Sequence, residues 1–208
     1  MSWTKTLSFV AVLAFLGLGV VSLGRAEDAK SIDEEGFIKE WLLLAPIPLA
    51  EGEETGAAND KEQIKDEAKL APKDGDKVKV GETELTWKKH TATEYFFDFN
   101  AFVGKETERA VGYAVTYVVC EDDVKDVSLK IGSDDQCKVY LNGKEVGKVA
   151  DERATDKDQN SYDGLALKKG SNVLVFKVVN ASQEWSGCAR FTDKEGKPLK
   201  GLKVELKK

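Results

Sequence analysis

Residues 132–144 read GSDDQCKVYLNGK and form the most informative stretch of the chain. Cys137, Val139 and Leu141 alternate with polar residues, which is the period of a β-strand with one buried face. Asn142-Gly143 then separates two extended pieces, and both residue types tolerate the positive φ that a two-residue hairpin turn requires. The stretch therefore predicts an antiparallel hairpin with its turn at Asn142-Gly143.

The same period of two recurs from Lys77 to the end of the chain. It appears in about nine short segments, spaced by roughly ten residues and separated by turn residues. Such spacing is typical of an all-β chain and predicts an antiparallel β-sandwich of the jelly-roll kind. Trp41 to Leu44 is predicted as a further strand, which ends where Pro46 and Pro48 follow.

Two segments favour helix instead of strand. Residues 31–40 have a helical tendency, so we expect a short N-terminal helical segment ahead of the sandwich. Residues 51–76 are rich in Glu, Gly, Ala, Lys and Asp, and we expect a loop-rich insertion there. Within it, Asn59 can cap a short amphipathic helix that has Ile64 and Ala68 on one face.

Residues 1–26 have the pattern of a secretory signal peptide. No residue from Leu7 to Leu23 is charged, and the small residues Gly24 and Ala26 follow at the positions that a signal peptidase reads. An uncleaved transmembrane anchor is the alternative, since the uncharged run nearly spans a bilayer. We expect cleavage, which leaves residues 27–208 as one secreted or periplasmic domain without a membrane span.

Three cysteines in an oxidising compartment permit one disulfide and leave one thiol over. The sequence leaves open which of Cys120, Cys137 and Cys188 would pair. Cys137 shares the parity of the apolar positions in its strand, which indicates a small buried side chain.

Composition narrows the function classes. The formal net charge is −6, which argues against a nucleic-acid partner because such partners require clustered Lys and Arg. The chain has a single histidine, His90, which excludes sites built from several histidines. No nucleophile elbow, phosphate loop or dinucleotide fingerprint is present. We expect the protein not to be an enzyme.

Three blocks together resemble the galactose-binding-like jelly-roll domain, the sugar-binding type that is attached to many glycoside hydrolases. They are residues 132–144, LKKGSNV at 167–173 and FKV at 176–178. The resemblance extends over residues 37–207, with 41–48 similar to the opening strand and 185–193 similar to the closing strand. Exported bacterial proteins of unknown role also have this fold, so the resemblance implies the fold more than the ligand.

This resemblance implies a secreted, non-catalytic carbohydrate-binding or cell-surface recognition module. Its partner would be a neutral glycan or a cell-surface polysaccharide. The alternative is an envelope-structural or protein-interaction sandwich that has no sugar site.

Trp185, Tyr162 and Tyr140 are the candidate ligand-binding residues, because a flat aromatic ring can stack on the apolar C–H face of a sugar. Trp185 is expected in an end loop of the sandwich. The alternative for each of the three is a packing role in the core, and for Trp185 a lid on the sandwich end.

Two sets of oxygen ligands are candidates for a structural calcium ion. Asp134 and Asp135 are adjacent, and in the protective-antigen-like lectin domains, which are related to the galactose-binding-like fold, such a pair holds a calcium that binds sugar hydroxyls. The alternative is that both carboxylates cap a tight turn by accepting backbone N–H bonds.

The second set is Asp156, Asp158 and Asn160, which place oxygen ligands at every second residue as in a calcium loop. Ser161 and Leu167 stand where an EF-hand requires glycine and glutamate, so an EF-hand is excluded. An isolated calcium site and a solvated hairpin loop remain as alternatives. No other cofactor is expected.

Overall fold

The computed structural model describes Met1 and residues 31–206. Two antiparallel sheets face each other across a hydrophobic core, which confirms the predicted all-β sandwich. The predicted signal peptide at 1–26 lies outside the described residues except for Met1. Within the described residues, no helix is both long and apolar enough to span a membrane.

The described residues contain thirteen strands, two short α-helices and one turn of 3-10 helix. The strands are β1 (Glu40–Pro48), β2 (Lys77–Val80), β3 (Thr83–Thr86), β4 (Lys88–Thr91), β5 (Phe97–Asp98), β6 (Ala110–Cys120), β7 (Val124–Asp134), β8 (Gln136–Leu141), β9 (Lys144–Val149), β10 (Asn160–Leu167), β11 (Gly170–Asn180), β12 (Ser186–Thr192) and β13 (Lys203–Glu205). The helices are α1 (Thr55–Asp60) and α2 (Phe99–Val103), and the 3-10 turn is Glu67–Lys69.

The larger sheet has the strand order β4-β1-β6-β11-β8-β9, with β13 paired to β6, and the smaller sheet has the order β10-β7-β12-β5. Strands β2 and β3 form a separate hairpin. The inner faces of both sheets meet in one core, in which the Trp41 and Phe97 rings pack edge to face at 4.9 Å. Alternation accounts for this core, since every second residue of a strand points to the same face.

A second apolar cluster lies on the outer face of the larger sheet. Leu42, Val115 and Val175 project there, opposite to the inner-facing residues of the same strands. Residues 51–72 and the β2-β3 hairpin cover this face. The larger sheet is therefore buried on both sides, which explains why the central strands β6 and β11 are nearly continuous apolar runs.

The hairpin at Asn142-Gly143 is confirmed. Leu141 pairs with Lys144 across a two-residue turn, and φ is +52° at Asn142 and +81° at Gly143. The Asn142 side chain also accepts a hydrogen bond from the Val173 N–H at 2.9 Å, which ties the turn to β11.

The expected N-terminal helical segment at 31–40 is not formed. Isolated bridges join Ile32 to Ile38 and Phe37 to Arg190, so the segment is extended and pairs with the smaller sheet. Gly36 has φ +89°, which no right-handed helix contains. Burial of Phe37 and Ile38 in the sandwich outweighs the weak local helix preference.

The short helix in the 51–76 segment forms earlier than predicted. Helix α1 ends at Asp60, so Asn59 lies inside the helix and does not cap it, while Ile64 and Ala68 lie beyond it. The Asn59 side chain is instead buried against the larger sheet and donates to the Val149 carbonyl at 2.9 Å. The tertiary hydrogen bond therefore determines the place of this side chain.

Strand β1 also runs further than predicted. It continues past Leu44 through Pro46 to Pro48, with an irregularity in its pairing to β6 between Leu44 and Ile47. A bulge accommodates prolines in a strand because it interrupts the hydrogen-bond ladder that they cannot complete.

Cys120, Cys137 and Cys188 are all buried and unpaired.

Candidate functional site

One end of the smaller sheet carries a row of three polar side chains. Ser186 of β12 pairs with Asp98 of β5 on one side and with Asp134 of β7 on the other. Side chains that lie directly opposite in neighbouring strands project from the same face. The inward positions of β7 are Leu129 and Ile131, so Asp134 and the whole row face outward.

Residues 151–159 form a loop over part of this row. The hydroxyls of Thr155 and Ser186 are 2.7 Å apart and share a hydrogen bond. Arg153 anchors the loop, because its guanidinium donates to the Ser133 hydroxyl at 3.0 Å and to the Ser133 carbonyl at 3.3 Å. The loop is thus held on the sheet by side-chain bonds to β7 and β12.

The carboxylates of Asp134 and Asp135 have different surroundings. Asp135 accepts backbone N–H bonds at both oxygens, from Arg153 at 3.1 Å and from Ala181 at 2.8 Å. Asp134 is only 6% exposed. Burial, then the charge of Asp135 and then that of Glu184, raise the pKa of Asp134 to about 7.

Two adjoining recesses meet at Glu184 and form what we call the end cleft, lined by Phe96, Asp98, Asn100, Asp134, Glu184 and Ser186. The recess beside Phe96 has a volume of about 220 Å³, and the recess beside Asp134 about 240 Å³. Both are smaller than the roughly 300–1,000 Å³ of pockets that enclose a whole ligand. Each recess can therefore hold one edge of a larger molecule.

Phe96 is the partly exposed aromatic ring of this cleft. Its neighbours Phe97 and Phe99 point into the core and are fully buried. Asn100 is fixed by two bonds, since its amide donates to the Gln183 carbonyl at 2.7 Å and its oxygen accepts the Thr107 N–H at 2.9 Å. The cleft thus combines carboxylates, one fixed amide and one partly exposed ring.

The Asp134-Asp135 pair does not by itself make a calcium site. Calcium takes six to eight oxygen ligands, whereas both Asp135 oxygens are already hydrogen-bonded to backbone N–H groups. Among residues 31–206, no three His, Cys, Asp or Glu side chains are grouped to bind a metal. The turn-capping alternative describes the contacts of Asp135.

Of the predicted calcium ligands Asp156, Asp158 and Asn160, the two aspartates are engaged in other contacts, whereas the buried side-chain oxygen of Asn160 has no hydrogen-bond partner among the described residues. Asp158 forms a two-pronged ion pair with Arg190, with 2.8 Å from Nε to Oδ1, and lies 3.6 Å from Lys130. Asp156 accepts the Lys157 N–H at 2.7 Å, and Asn160 lies in β10 opposite Ile131. Arg190 and Lys130 neutralise the negative charge of Asp158 that a calcium ion would need.

Trp185 does not offer a stacking face, contrary to the expectation for an end loop. Its side chain is 1% exposed, and its ring lies 4.5 Å from the Phe99 ring. The indole packs over Gly112, where an added Cβ would come within 2.8 Å of it. Its N–H donates to the Val178 carbonyl at 3.4 Å. The alternative of a lid on the sandwich end describes its position.

Tyr140 and Tyr162 are also not placed as exposed platforms. Tyr140 is buried on the outer face of the larger sheet, where its hydroxyl donates to Glu67. Tyr162 is half-buried in β10, and its ring occupies the space beside Gly147 that a side chain there would fill. None of the three predicted ligand-binding residues therefore presents an open ring in a shared concave surface.

The sequence contains a pattern that indicates Phe96 and Asp98, two residues of the end cleft that were not predicted as site residues. Tyr95 to Phe99 reads YFFDF, and alternation there places Phe97 and Phe99 on one face and Phe96 and Asp98 on the other. Burial of the first pair leaves the second pair outside. Which pair is buried depends on the facing sheet, so the local pattern alone did not decide it.

No family model matches the chain, and no curated protein matches it. Among solved structures, the chain is similar to the PA14 domain of the antifreeze protein MpAFP, with 13% sequence identity and a TM-score of 0.33. The match covers 46% of this chain and 51% of the other, so it spans about half of each. A likeness of this size carries no functional argument.

Proposed function

We propose that this chain is an exported, non-catalytic binding module of the galactose-binding-like kind, and that its ligand is a neutral glycan or cell-surface polysaccharide. The single observation that carries the proposal is the end cleft, in which Asp98 and Glu184 line one recess together with the partly exposed Phe96 ring and Asp134 lines the adjoining recess. The sequence resemblance supports the same class.

The chemistry of this cleft suits a sugar. Sugar hydroxyls are hydrogen-bond donors, and carboxylates are acceptors that form the stronger, charge-assisted bonds. The C–H face of the sugar is weakly apolar and packs on an aromatic ring such as that of Phe96. The acidic cleft repels anionic polymers and so favours neutral glycans.

A glycan array probed with residues 27–208, once in calcium and once in EDTA, tests the class of ligand. Titration calorimetry with the best ligand then compares Glu184→Ala with Glu195→Ala. Both glutamates are exposed, but only Glu184 lines the end cleft. We expect Glu184→Ala to weaken binding about tenfold, the equivalent of one charge-assisted hydrogen bond, and Glu195→Ala to bind as wild type.

Phe96→Ala should weaken binding to a similar extent, because the ring provides the apolar contact. Equal affinities of the Glu184→Ala and Glu195→Ala variants would place any glycan elsewhere on the surface.

A protein-interaction or envelope-structural module is the second candidate. The burial of Trp185 and Tyr140, together with the small volume of each recess of the end cleft, favours it. An array without any glycan hit in either buffer would support this second candidate over the first.

A further inference from the structure

The carboxylate of Glu67 is buried on the outer face of the larger sheet, far from the end cleft. The Glu67 side chain is fully enclosed, at 1% exposure for the residue. Its Oε1 accepts the Tyr140 hydroxyl at 2.5 Å, and its Oε2 accepts the Tyr113 hydroxyl. Lys177, also fully buried, lies 3.2 Å from Oε2. Two hydroxyls and one ammonium thus surround one carboxylate.

The three donors belong to neighbouring strands of the larger sheet, so the sheet fixes their arrangement. Lys177 of β11 is directly opposite Tyr113 of β6, and Tyr140 of β8 is opposite Val175, two residues from Lys177. Side chains at i and i+2 share a face, which brings the three donor groups to one point. The donors are therefore set in place by backbone pairing and do not depend on Glu67.

The acceptor comes from a different kind of element. Glu67 lies in the 3-10 turn Glu67–Lys69. This turn belongs to residues 51–72, a mostly irregular segment that we call the strap. The strap buries the apolar side chains of Ala58, Ile64 and Pro72, and three more apolar residues are partly buried on the same face: Ala68, Leu70 and Ala71. Much of the rest of the strap is exposed, which is typical of segments that open locally at low free energy.

Hydrogen bonds from the sheet hold the strap in place. Lys177 also donates to the carbonyls of Asn59 at 3.2 Å and Lys61 at 2.6 Å, and Tyr117 donates to the Pro72 carbonyl at 2.6 Å. A buried ion pair adds little net stability, because the desolvation of both charges offsets their attraction. Another carboxylate could recover the same interactions at the same desolvation cost.

We propose that Tyr113, Tyr140 and Lys177 form a carboxylate-binding site, and that the strap is a lid whose Glu67 fills this site until a free carboxylate replaces it. The ligand class is a small organic carboxylate, or a larger molecule that presents one carboxylate group. The site is separate from the end cleft and does not depend on its ligand.

The first test uses Glu67→Ala, which empties the site, with acetate as the probe ligand. Thermal unfolding is followed in sodium acetate and in sodium chloride at equal ionic strength. We expect Tm to rise by roughly 3–5 °C for each tenfold increase in acetate above its Kd, with no such rise in chloride. The rise should disappear in Glu67→Ala with Lys177→Met. Glu54→Ala removes an exposed strap carboxylate and keeps Glu67 in the site, so it should respond to acetate only at much higher concentrations than Glu67→Ala does.

The second test uses Glu67→Gln, which keeps the size of the side chain and is expected to fold even if Glu67→Ala does not. Hydrogen exchange should be at least tenfold faster in the strap than in wild type, and unchanged in β6 and β11. Acetate should accelerate strap exchange further in this variant, because it competes with the neutral side chain for the site.

Two results would overturn the proposal. One is the same Tm response of Glu67→Ala to acetate and to chloride. The other is hydrogen exchange in Glu67→Gln that rises equally in the strap, β6 and β11, since the cluster would then be part of the global core.

Discussion

Trp185 is buried, whereas Phe96 in the same cleft is partly exposed. Truncation of the two side chains should therefore lower the free energy of unfolding by clearly different amounts. A buried tryptophan removes roughly 200 Å² from water. At about 25 cal/mol per Å², this corresponds to about 5 kcal/mol. Truncation also leaves a cavity beside Phe99 and Gly112, which neighbouring groups fill only in part. We therefore expect Trp185→Ala to lower the free energy of unfolding by about 3–5 kcal/mol.

The assay is urea unfolding of residues 27–208, followed by far-UV circular dichroism, with Phe96→Ala as the matched control. Phe96 lies beside Trp185 in the cleft but is partly exposed, so its truncation should cost at least about 1 kcal/mol less than that of Trp185. In a thermal melt, the Trp185→Ala loss corresponds to a Tm decrease of about 6–20 °C. Similar losses for the two variants would refute the reasoning, because burial would then not separate the two side chains.

Three further predictions concern the turn and two titrating groups. Asn142→Val with Gly143→Val should cost on the order of 1–3 kcal/mol, because β-branched residues resist positive φ, and an unchanged melting curve would contradict this. Burial raises the pKa of Tyr117 to about 12, so its stabilising contribution is present below pH 10 and is lost as the pH rises to 12. Urea unfolding measured at several pH values between about 10 and about 12 should show that the free energy of unfolding falls less with pH in Tyr117→Phe than in wild type. The pKa of Asp134 is raised to about 7, so its contribution is full below pH 4 and is lost as the pH rises through 7. In EDTA, Asp134→Asn should therefore be stabilised relative to wild type at pH 8 and much less so at pH 4.

Local patterns predicted the features that local chemistry determines. The turn at Asn142-Gly143 requires positive φ at two successive residues, and few other residue pairs accept it. The alternation around Val139 is likewise sufficient to predict a strand. Both follow from the residues themselves and their immediate neighbours.

The environment of Trp185 could not be predicted in the same way. Its burial depends on Phe99 and on the absence of a side chain at Gly112, which are 86 and 73 positions away in the chain by their numbers. Glu67 is a similar case, because nothing in its own segment indicates that Lys177 lies opposite it. Such sites depend on how the two sheets and the strap come together, which periodicity does not describe.

The three buried cysteines can report local unfolding of the strands that contain them. Cys120 ends β6, Cys137 lies in β8 and Cys188 lies in β12, so both sheets carry a thiol. Burial raises the pKa of Cys137 to about 11 and that of Cys188 to about 12, which keeps both thiols protonated at neutral pH. An alkylating reagent will then modify each cysteine only when the surrounding strand opens. Peptide mass spectrometry over a time course of alkylation would show in which order the strands of the two sheets become accessible.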